Sequence, residues 1–473
     1  MKKTKIIATM GPATYDEEKI IDLYEAGVNV IRFNFSHADY ENSKKIVERI
    51  RKLNSEGKTN LSILLDTKGP EIRSGDLQEK INYKTGDIFE IVVDDSKRSG
   101  NNLFCDYPYL IEDVKIGGII AIDSGLFDVK VIEKKANSVV VEALNDALIG
   151  SRRHINLPGV SLKLPGVTDK DREDIMFAIE NNYNFIAASF IRNAQNVEDI
   201  RQILEENNAS HIKIISKIEN LEGVENMEEI AKASDGIMVA RGDLGIEVPI
   251  EKLAIYQRDI ISVCKKYGKI SVIATHLLET MIENPSPTRA ESSDVFNATL
   301  QKPDCLMLSG ETAMGKFPIK AVEMMTKIIT EAEIYNTYDY EEFIEESLNQ
   351  RDIQKKVLLK YAIKTAEDVG AKAVIVFTKT GLLARLVSAF KPSVPSYTFT
   401  PNTNTFYFMN ILFGVRPFIL EAWDSENYQN NLSKALKQLK EEGKISVGNT
   451  LVAVNDIQKG GKEFPVLEII DVE

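Results

Sequence analysis

Residues 213–248, KIISKIENLEGVENMEEIAKASDGIMVARGDLGIEV, constrain the fold more than any other stretch. Two short β-branched runs, Ile212–Ile218 and Gly236–Ala240, are bounded by polar turns and read as buried parallel strands. Between them, Leu221–Ala233 carries acidic residues on one side of a helical repeat. Each strand runs out into charge: Lys217 and Glu219 after the first, Arg241 and Asp243 after the second. Alternate residues of a strand face the same way, so Lys217 and Glu219 share a face, as do Arg241 and Asp243. In a parallel β/α barrel, carboxyl strand ends gather at one mouth, where active sites form. A lysine and two carboxylates there suit a divalent metal beside a cation that neutralises a developing anion. A surface salt-bridge cluster is the plainer reading. Its repetition over two adjacent βα units, the second followed by a Gly-Asp-Leu-Gly turn, argues against it.

At 473 residues the chain exceeds what one core usually supports, so two or three domains are expected. Hydrophobic content of 43% and charged content of 27% place it among ordinary soluble globular proteins. A net charge of −13 argues against a nucleic-acid or anionic-membrane partner, without excluding a local basic pocket. Cys105, Cys264 and Cys305 are far apart and lack metal-ligand spacing, which fits core positions in a reducing, cytoplasmic setting. The start, MKKTKIIATMG, has too short an apolar run for a signal peptide and reads as a first strand. No apolar run approaches membrane-spanning length.

In chain order, strand Thr4–Met10 leads through Gly11-Pro12-Ala13-Thr14 to an amphipathic helix, Asp16–Ala26, stopped at Gly27. Strand Val28–Phe33 runs into Arg32, Asn34 and Ser36, which alternate onto one side, and then His37. Helix Tyr40–Asn54 and strand Leu61–Leu65 follow, the latter ending in Asp66-Thr67-Lys68-Gly69. From about Ser74 to Val160 the pattern has period 2 with Gly and Asn turns, which reads as a small all-β insert. Helical signals resume at Asp169–Asn181. Strands Phe185–Phe190, Ile212–Ile218, Gly236–Ala240, Ser271–Thr275 and Cys305–Leu308 then alternate with helices. Eight strands outside the insert, each followed by helix, predict a (β/α)8 TIM barrel, an α/β fold, with an all-β domain inserted after strand three. Helix Ile319–Ala332 and an acidic connection, Thr337–Gln350, lead to a C-terminal α/β domain. There, helix Lys355–Val369, strand Ala373–Phe377 and the loop Thr378–Gly381 are followed by apolar runs Ser396–Phe399, Thr450–Asn455 and Val466–Ile470. The expected division is a barrel of residues 1–73 and 160–336, an insert of 74–159 and a third unit of 337–473.

These strand ends resemble pyruvate kinase over nearly the whole chain. The resemblance lies in RFNFSH (32–37), LLDTKGPEIR (64–73), NLPGV (156–160), FIAASF (185–190), SKIEN (216–220), DGIMVARGDLG (235–245), NPSPTRAE (284–291) and MLSGETAMG (307–315). It implies phosphate transfer from phosphoenolpyruvate to ADP, giving pyruvate and ATP in glycolysis, and a homotetramer. Phosphoryl transfer needs neutralised charge and alignment more than covalent chemistry, which these residues suit. By resemblance, Glu219 and Asp243 hold Mg²⁺ or Mn²⁺, and Lys217 faces the transferring phosphoryl group and the enolate oxygen. Arg32 holds the phosphate, Gly242 and Asp243 lie in the turn that meets the substrate carboxylate, and Thr275 orders protonation of the enolate. Asn34, Ser36, Asp66 and Thr67 match the K⁺ pocket, Thr67 through its backbone. Pro12, Asn34, His37, Tyr40, Arg73 and Arg153 fall where the family approaches the nucleotide. The plainer readings are a helix N-cap for Thr275, surface charge for Arg32 and a structural histidine for His37, and for Asp66 taken alone a helix cap fits equally well.

Departures from the family pattern include His276 where glutamine is usual, Ser286 where arginine is usual, and Arg153 where a lysine is usual. Thr378, Thr380 and Gly381 have the layout of an effector phosphate site at a helix start. Bisphosphate-activated relatives carry a further Ser or Thr where this chain has Leu383, and their closing loop is here replaced by a stretch with Lys459 and Lys462. Two rival readings are a Mg²⁺-dependent aldolase or lyase acting on pyruvate, and a catalytically inactive regulatory paralogue.

Overall fold

The computed structural model describes residues 2–36, 39–336, 340, 343–344, 348–425, 427–459 and 462–473. Eight short strands pair in parallel: β1 (Lys5–Thr9), β2 (Val30–Asn34), β3 (Ser62–Asp66), β4 (Phe185–Ala188), β5 (Lys213–Ile218), β6 (Gly236–Ala240), β7 (Ile270–Ala274) and β8 (Cys305–Leu308). They close in the order β1-β8-β7-β6-β5-β4-β3-β2, the expected (β/α)8 barrel. Both faces of each strand are buried, which is why the strands read as near-continuous apolar runs. Ile7, Val30, Leu64, Phe185, Ile215, Met238, Val272 and Met307 belong to the interior cluster. Their neighbours Ile6, Ile31, Ile63, Ile186, Ile214, Ile237, Ile273 and Leu306 pack outward beneath the helices.

This parity positions the chemistry. One step of two residues up from Ile7, Val30, Leu64 and Ile215 reaches Thr9, Arg32, Asp66 and Lys217, which therefore point into the barrel at its carboxyl end. The same step down from Ile7 reaches Lys5 at the floor.

Two details of the organising stretch depart from the sequence reading. Leu221–Ala233 forms two helices, Leu221–Glu225 and Met227–Ala233, broken at Asn226. The Asn226 amide donates to the Arg192 carbonyl at 2.8 Å instead of continuing a straight helix. Strand β6 also stops at Ala240, and Arg241–Glu247 is a helix, so Arg241 and Asp243 do not share a strand face. Two residues along a helix are rotated about 200° apart. Arg241 accordingly turns back beneath the mouth.

After β3 the chain forms a separate sheet, ordered Ile155–Asn156, Ile119–Ile122, Phe127–Lys134, Ser138–Ala143, Ile88–Val92, Leu103–Phe104, around its own apolar cluster. After the barrel, a five-stranded sheet runs Val415–Ile419, Ser396–Thr400, Ala373–Phe377, Thr450–Lys459, Lys462–Asp471, with only the last pair antiparallel. Strand Val415–Ile419 was hidden by Arg416 and Pro417. It lies at the sheet edge, where proline is tolerated. The acidic connection falls largely outside the described residues, although Tyr340 and Phe343 pack into the core beside Leu359. All three cysteines are buried thiols. Among the described residues, no helix is long and apolar enough to cross a membrane.

Candidate active site

Lys217 sits at the centre of the mouth, almost fully buried. Its Nζ lies 2.8 Å from Glu219 Oε1 and 3.1 Å from Asp66 Oδ1, and donates to Ser189 Oγ at 2.8 Å. Arg32 Nε donates to the other Asp66 oxygen at 2.6 Å, and its Nη1 to Thr9 Oγ1 at 2.9 Å. Two cations and two carboxylates thus interlock where water is excluded. Buried charge is tolerable only with such pairing. Burial pushes the Asp66 carboxyl up, but Arg32 and Lys217 outweigh it and hold it below the usual range. Burial likewise pulls the Lys217 ammonium down, and Asp66 and Glu219 more than reverse that, so the lysine stays protonated.

Glu219 is the group under tension. Burial pushes it up to about 7, against the pull of Lys217, and Asp243 adds to the push. Its second oxygen accepts the Phe190 N–H at 2.6 Å. A carboxylate pair that raises its own proton affinity in a dry site gains from a bound cation. Among the described residues no cluster of three or more His, Cys, Asp or Glu side chains forms a complete metal cage. Glu219 and Asp243 are instead two hard oxygen donors, suited to an ion that keeps several waters, as Mg²⁺ does.

Thr275, just beyond β7, has φ +69, and His276 has φ +53. A β-branched residue in that region is a true outlier, held here by its surroundings. Thr275 Oγ1 donates to the Ala274 carbonyl at 2.7 Å and accepts the Gly242 N–H at 2.8 Å. The Gly242 N–H, expected to be open to a carboxylate, is therefore already engaged by this hydroxyl. Arg241 holds the turn from below: its guanidinium donates to the Thr275 and His276 carbonyls at 2.8 Å each and pairs with Asp294 at 2.9 Å. Arg241 is a scaffold for this loop, not a member of the mouth.

The ends of β2 and β3 bring Asn34, Ser36, Asp66 and Thr67 together. Asn34 is the register partner of Asp66, its Oδ1 accepts the Ser36 N–H at 3.2 Å, and the Thr67 carbonyl accepts from Ser189 Oγ at 2.7 Å. All four offer oxygen, a donor set that fits a hard monovalent cation. Ser189 ties this corner to Lys217, and the sequence reading gave it no role. Its signal was its place one residue past β4, beside the end of β3.

Among the residues expected near the nucleotide, two sit on the connections to the insert. Arg73 and Arg153 lie on the ribbon where the chain enters and leaves the insert, since Ser74 N donates to the Arg153 carbonyl at 2.7 Å. Arg73 pairs with Glu71 at 2.6 Å, and Arg153 with Asp123 at 3.3 Å. Tyr40 donates its hydroxyl to Asp174 at 2.6 Å and receives Lys170 at 2.7 Å, so that hydroxyl is bound into the barrel wall. Pro12 is exposed on the loop after β1. His37 lies outside the described residues, as do the side chains of Lys459 and Lys462. At the remote loop, Thr378 Oγ1 accepts the Gly381 N–H at 3.0 Å and Thr380 Oγ1 accepts the Leu382 N–H at 3.4 Å. The threonines thus cap donors that a phosphate would otherwise use.

Fold and mouth together define a (β/α)8-barrel protein with a buried Lys–Glu–Asp–Arg centre, an insert beside its mouth and a C-terminal α/β unit. Family models carry that further: "Pyruvate kinase, barrel domain" matches residues 1–322 and "Pyruvate kinase, alpha/beta domain" matches residues 356–468. The chain belongs to the pyruvate kinase family. It is 43% identical to the pyruvate kinase of Dictyostelium discoideum over 89% of this chain and 85% of that one. It is 38% identical to that of Borreliella burgdorferi over 100% of this chain and 98% of that one. The crystal structure of a pyruvate kinase from Cryptosporidium parvum superposes with a TM-score of 0.92 at 39% identity, covering 99% of this chain and 96% of that one. Family membership sets aside the aldolase reading.

Proposed function

We propose that the protein is an active pyruvate kinase, transferring phosphate from phosphoenolpyruvate to ADP to give pyruvate and ATP. The observation that carries this is Lys217: a buried, protonated ammonium between Asp66 and Glu219 at the carboxyl mouth of the barrel. Arg32 and Lys217 offer fixed positive charge to a phosphoryl group and to the enolate oxygen it leaves behind, and such preorganised charge lowers the barrier. Asp66 holds both cations in place. Thr275, locked in its strained turn, positions the proton that reaches the enolate carbon. Glu219 and Asp243 would hold a divalent cation, Mg²⁺ or Mn²⁺, which when bound supplies further positive charge to substrate oxygens. Asn34, Ser36, Asp66 and Thr67 would hold K⁺.

Residues 1–73 and 160–336 form the catalytic barrel in this reading, 74–159 a lid, and 337–473 a regulatory unit. Pro12, Asn34, Tyr40, Arg73 and Arg153 are assigned to the nucleotide approach, and so, by resemblance alone, is His37. We assign the protein to the cytoplasm as a homotetramer, which light scattering on the purified chain checks. With its N–H groups capped by Thr378 and Thr380, the loop ending at Gly381 is read as a weak site for a monophosphate, with little activation by fructose 1,6-bisphosphate. The test of the whole reading is pyruvate formation, coupled to lactate dehydrogenase, with phosphoenolpyruvate, ADP, Mg²⁺ and K⁺. Turnover that needs both substrates is expected. Its absence from a folded, metal-loaded protein would leave the inactive-paralogue reading standing.

A further inference from the structure

Each carboxylate assigned to the divalent cation is linked, through intervening residues, to the strand by which the insert rejoins the barrel or to the residue just before it. That strand is Ile155–Asn156. Asn156 is 2% exposed, and its amide donates to Glu247 Oε1 at 2.7 Å. Glu247 is the last residue of the helix Arg241–Glu247, which carries Asp243 in its first turn. A second face of the insert meets the same helix: a Cβ added at Gly125 would lie 3.5 Å from the Ile246 side chain. On the other side, the His154 ring packs edge-on against Phe190 at 6.1 Å, and the Phe190 N–H is the donor that holds Glu219. Past the joint, Ser161 Oγ donates to Glu222 Oε2 at 2.8 Å.

The joint also has a free valence. Asn156 Oδ1 is buried without a hydrogen-bond partner. A cavity of about 20 Å³, walled by Pro70, His154, Asn156, Phe190 and Glu247 among others, adjoins it and has room for one water. A single strong bond beside an unsatisfied oxygen is an arrangement with an alternative close by. It is not a rigid weld.

We propose that Asn156 and Glu247 form the joint through which the position of the insert sets the position of the Asp243 helix, and so the affinity of the Glu219–Asp243 pair for a divalent cation. They are positioning residues. The inference rests on the assignment of those two carboxylates as metal ligands. Moving the insert pulls on Asn156. Asn156 pulls on the carboxyl end of a helix only seven residues long, and Asp243 moves with it. Groups that orient ligands from behind change metal affinity by about 10–100-fold when removed.

The test uses the full chain without substrates and Mn²⁺ as the probe. Free Mn²⁺ is followed by electron paramagnetic resonance. In parallel, distances are measured between spin labels on cysteines introduced at exposed Lys130 of the insert and exposed Glu251 of the barrel. Asn156→Ala and Glu247→Ala are each expected to weaken Mn²⁺ binding about tenfold and to broaden the distance distribution. Glu247→Gln keeps an oxygen for the Asn156 amide and should stay within about twofold of wild type. Wild-type Mn²⁺ affinity and distances in both alanine variants would overturn the proposal. So would Glu247→Gln behaving like Glu247→Ala, because charge and not the hydrogen bond would then be acting on Asp243. If one alanine variant fails to fold, the other approaches the same bond from the opposite side. Mn²⁺ binding that is unchanged by Asp243→Asn overturns the metal assignment and the coupling with it. Distances that change only in the joint variants would still locate the hinge there.

Discussion

Lys217 and Lys5 are two lysines inside one barrel, and their surroundings shift their proton affinities in opposite directions. Lys217 caps the carboxyl end, where Asp66 and Glu219 meet it and raise its proton affinity. Lys5 points inward at the floor, donating to the Val415 carbonyl, and burial pushes it down to about 7, with Lys2 and Arg416 adding to the push. Lys2 is pushed down to about 8 for the same reason. Glu333 pulls both lysines only partly back up, and its carboxylate also accepts the backbone N–H groups of Lys3 and Thr4 at 2.7–2.9 Å and pairs with the Lys3 ammonium at 3.6 Å. Burial is common to both lysines, so burial does not decide their charge. The placed carboxylates do. The floor also opens on a cavity of about 930 Å³ against the C-terminal sheet, far roomier than the cavity of about 20 Å³ beside Asn156 and Phe190. Volume therefore points away from the chemistry, and paired charge points to it.

The largest test of this contrast is Lys217→Met. Removing the ammonium should lower kcat by about 10²-fold or more, on the scale of losing a charge-stabilising donor, with little change in the KM for phosphoenolpyruvate. It also leaves the buried Glu219 without its ion pair and Asp66 with Arg32 alone, so the variant should unfold about 3–5 kcal/mol more easily in denaturant. A variant with near-normal kcat and a greatly raised KM would show that Lys217 serves binding and not the transition state. A second test adds a cation to the mouth. If Asn34, Ser36, Asp66 and Thr67 hold K⁺, replacing K⁺ with tetramethylammonium should cut activity severalfold. Glu71→Lys, which adds positive charge at the Arg73 ribbon, should reduce that requirement. Full activity in tetramethylammonium would mean that Arg32 and Lys217 suffice.

Much of the mouth was legible because strand parity is rigid. Once Ile215 faces inward, Lys217 must too, and the same holds for Arg32 above Val30 and Asp66 above Leu64. What parity could not show is where a strand ends. No capping side chain separates Ala240 from the helix that begins at Arg241, so the sequence reads on as strand and assigns Arg241 to the mouth. Ser189 was missed because the chemistry is one hydroxyl inside an apolar motif. Its role exists only through Thr67 and Lys217, which are distant in sequence. Lys5 escaped notice for a related reason: a lysine near a chain start reads as exposed. The neighbour that buries it comes from Val415–Ile419, a strand whose proline and arginine concealed it.

The smallest expected effect is the sharpest on the floor. A lysine held at about 7 in the fold, against an ordinary value of 10.5, binds its proton more weakly folded than unfolded. Protonation therefore favours the unfolded chain. The resulting loss of stability is fully present below pH 7 and disappears as pH rises from 7 towards 10.5. Lys5→Met removes it, at the cost of leaving the Val415 carbonyl without this donor, about 1–3 kcal/mol for a buried group. Replacing buried charge with well-packed apolar side chains of similar volume is often neutral or stabilising by about 1–4 kcal/mol. The variant should then melt a few degrees above wild type at pH 6, and the gap should narrow or change sign by pH 9.5. Thermal melts of wild type and Lys5→Met at the two pH values decide it. A gap that is constant with pH would mean that Lys5 keeps its proton in the fold, and that the floor contains a counter-charge equivalent to the one Asp66 and Glu219 give Lys217.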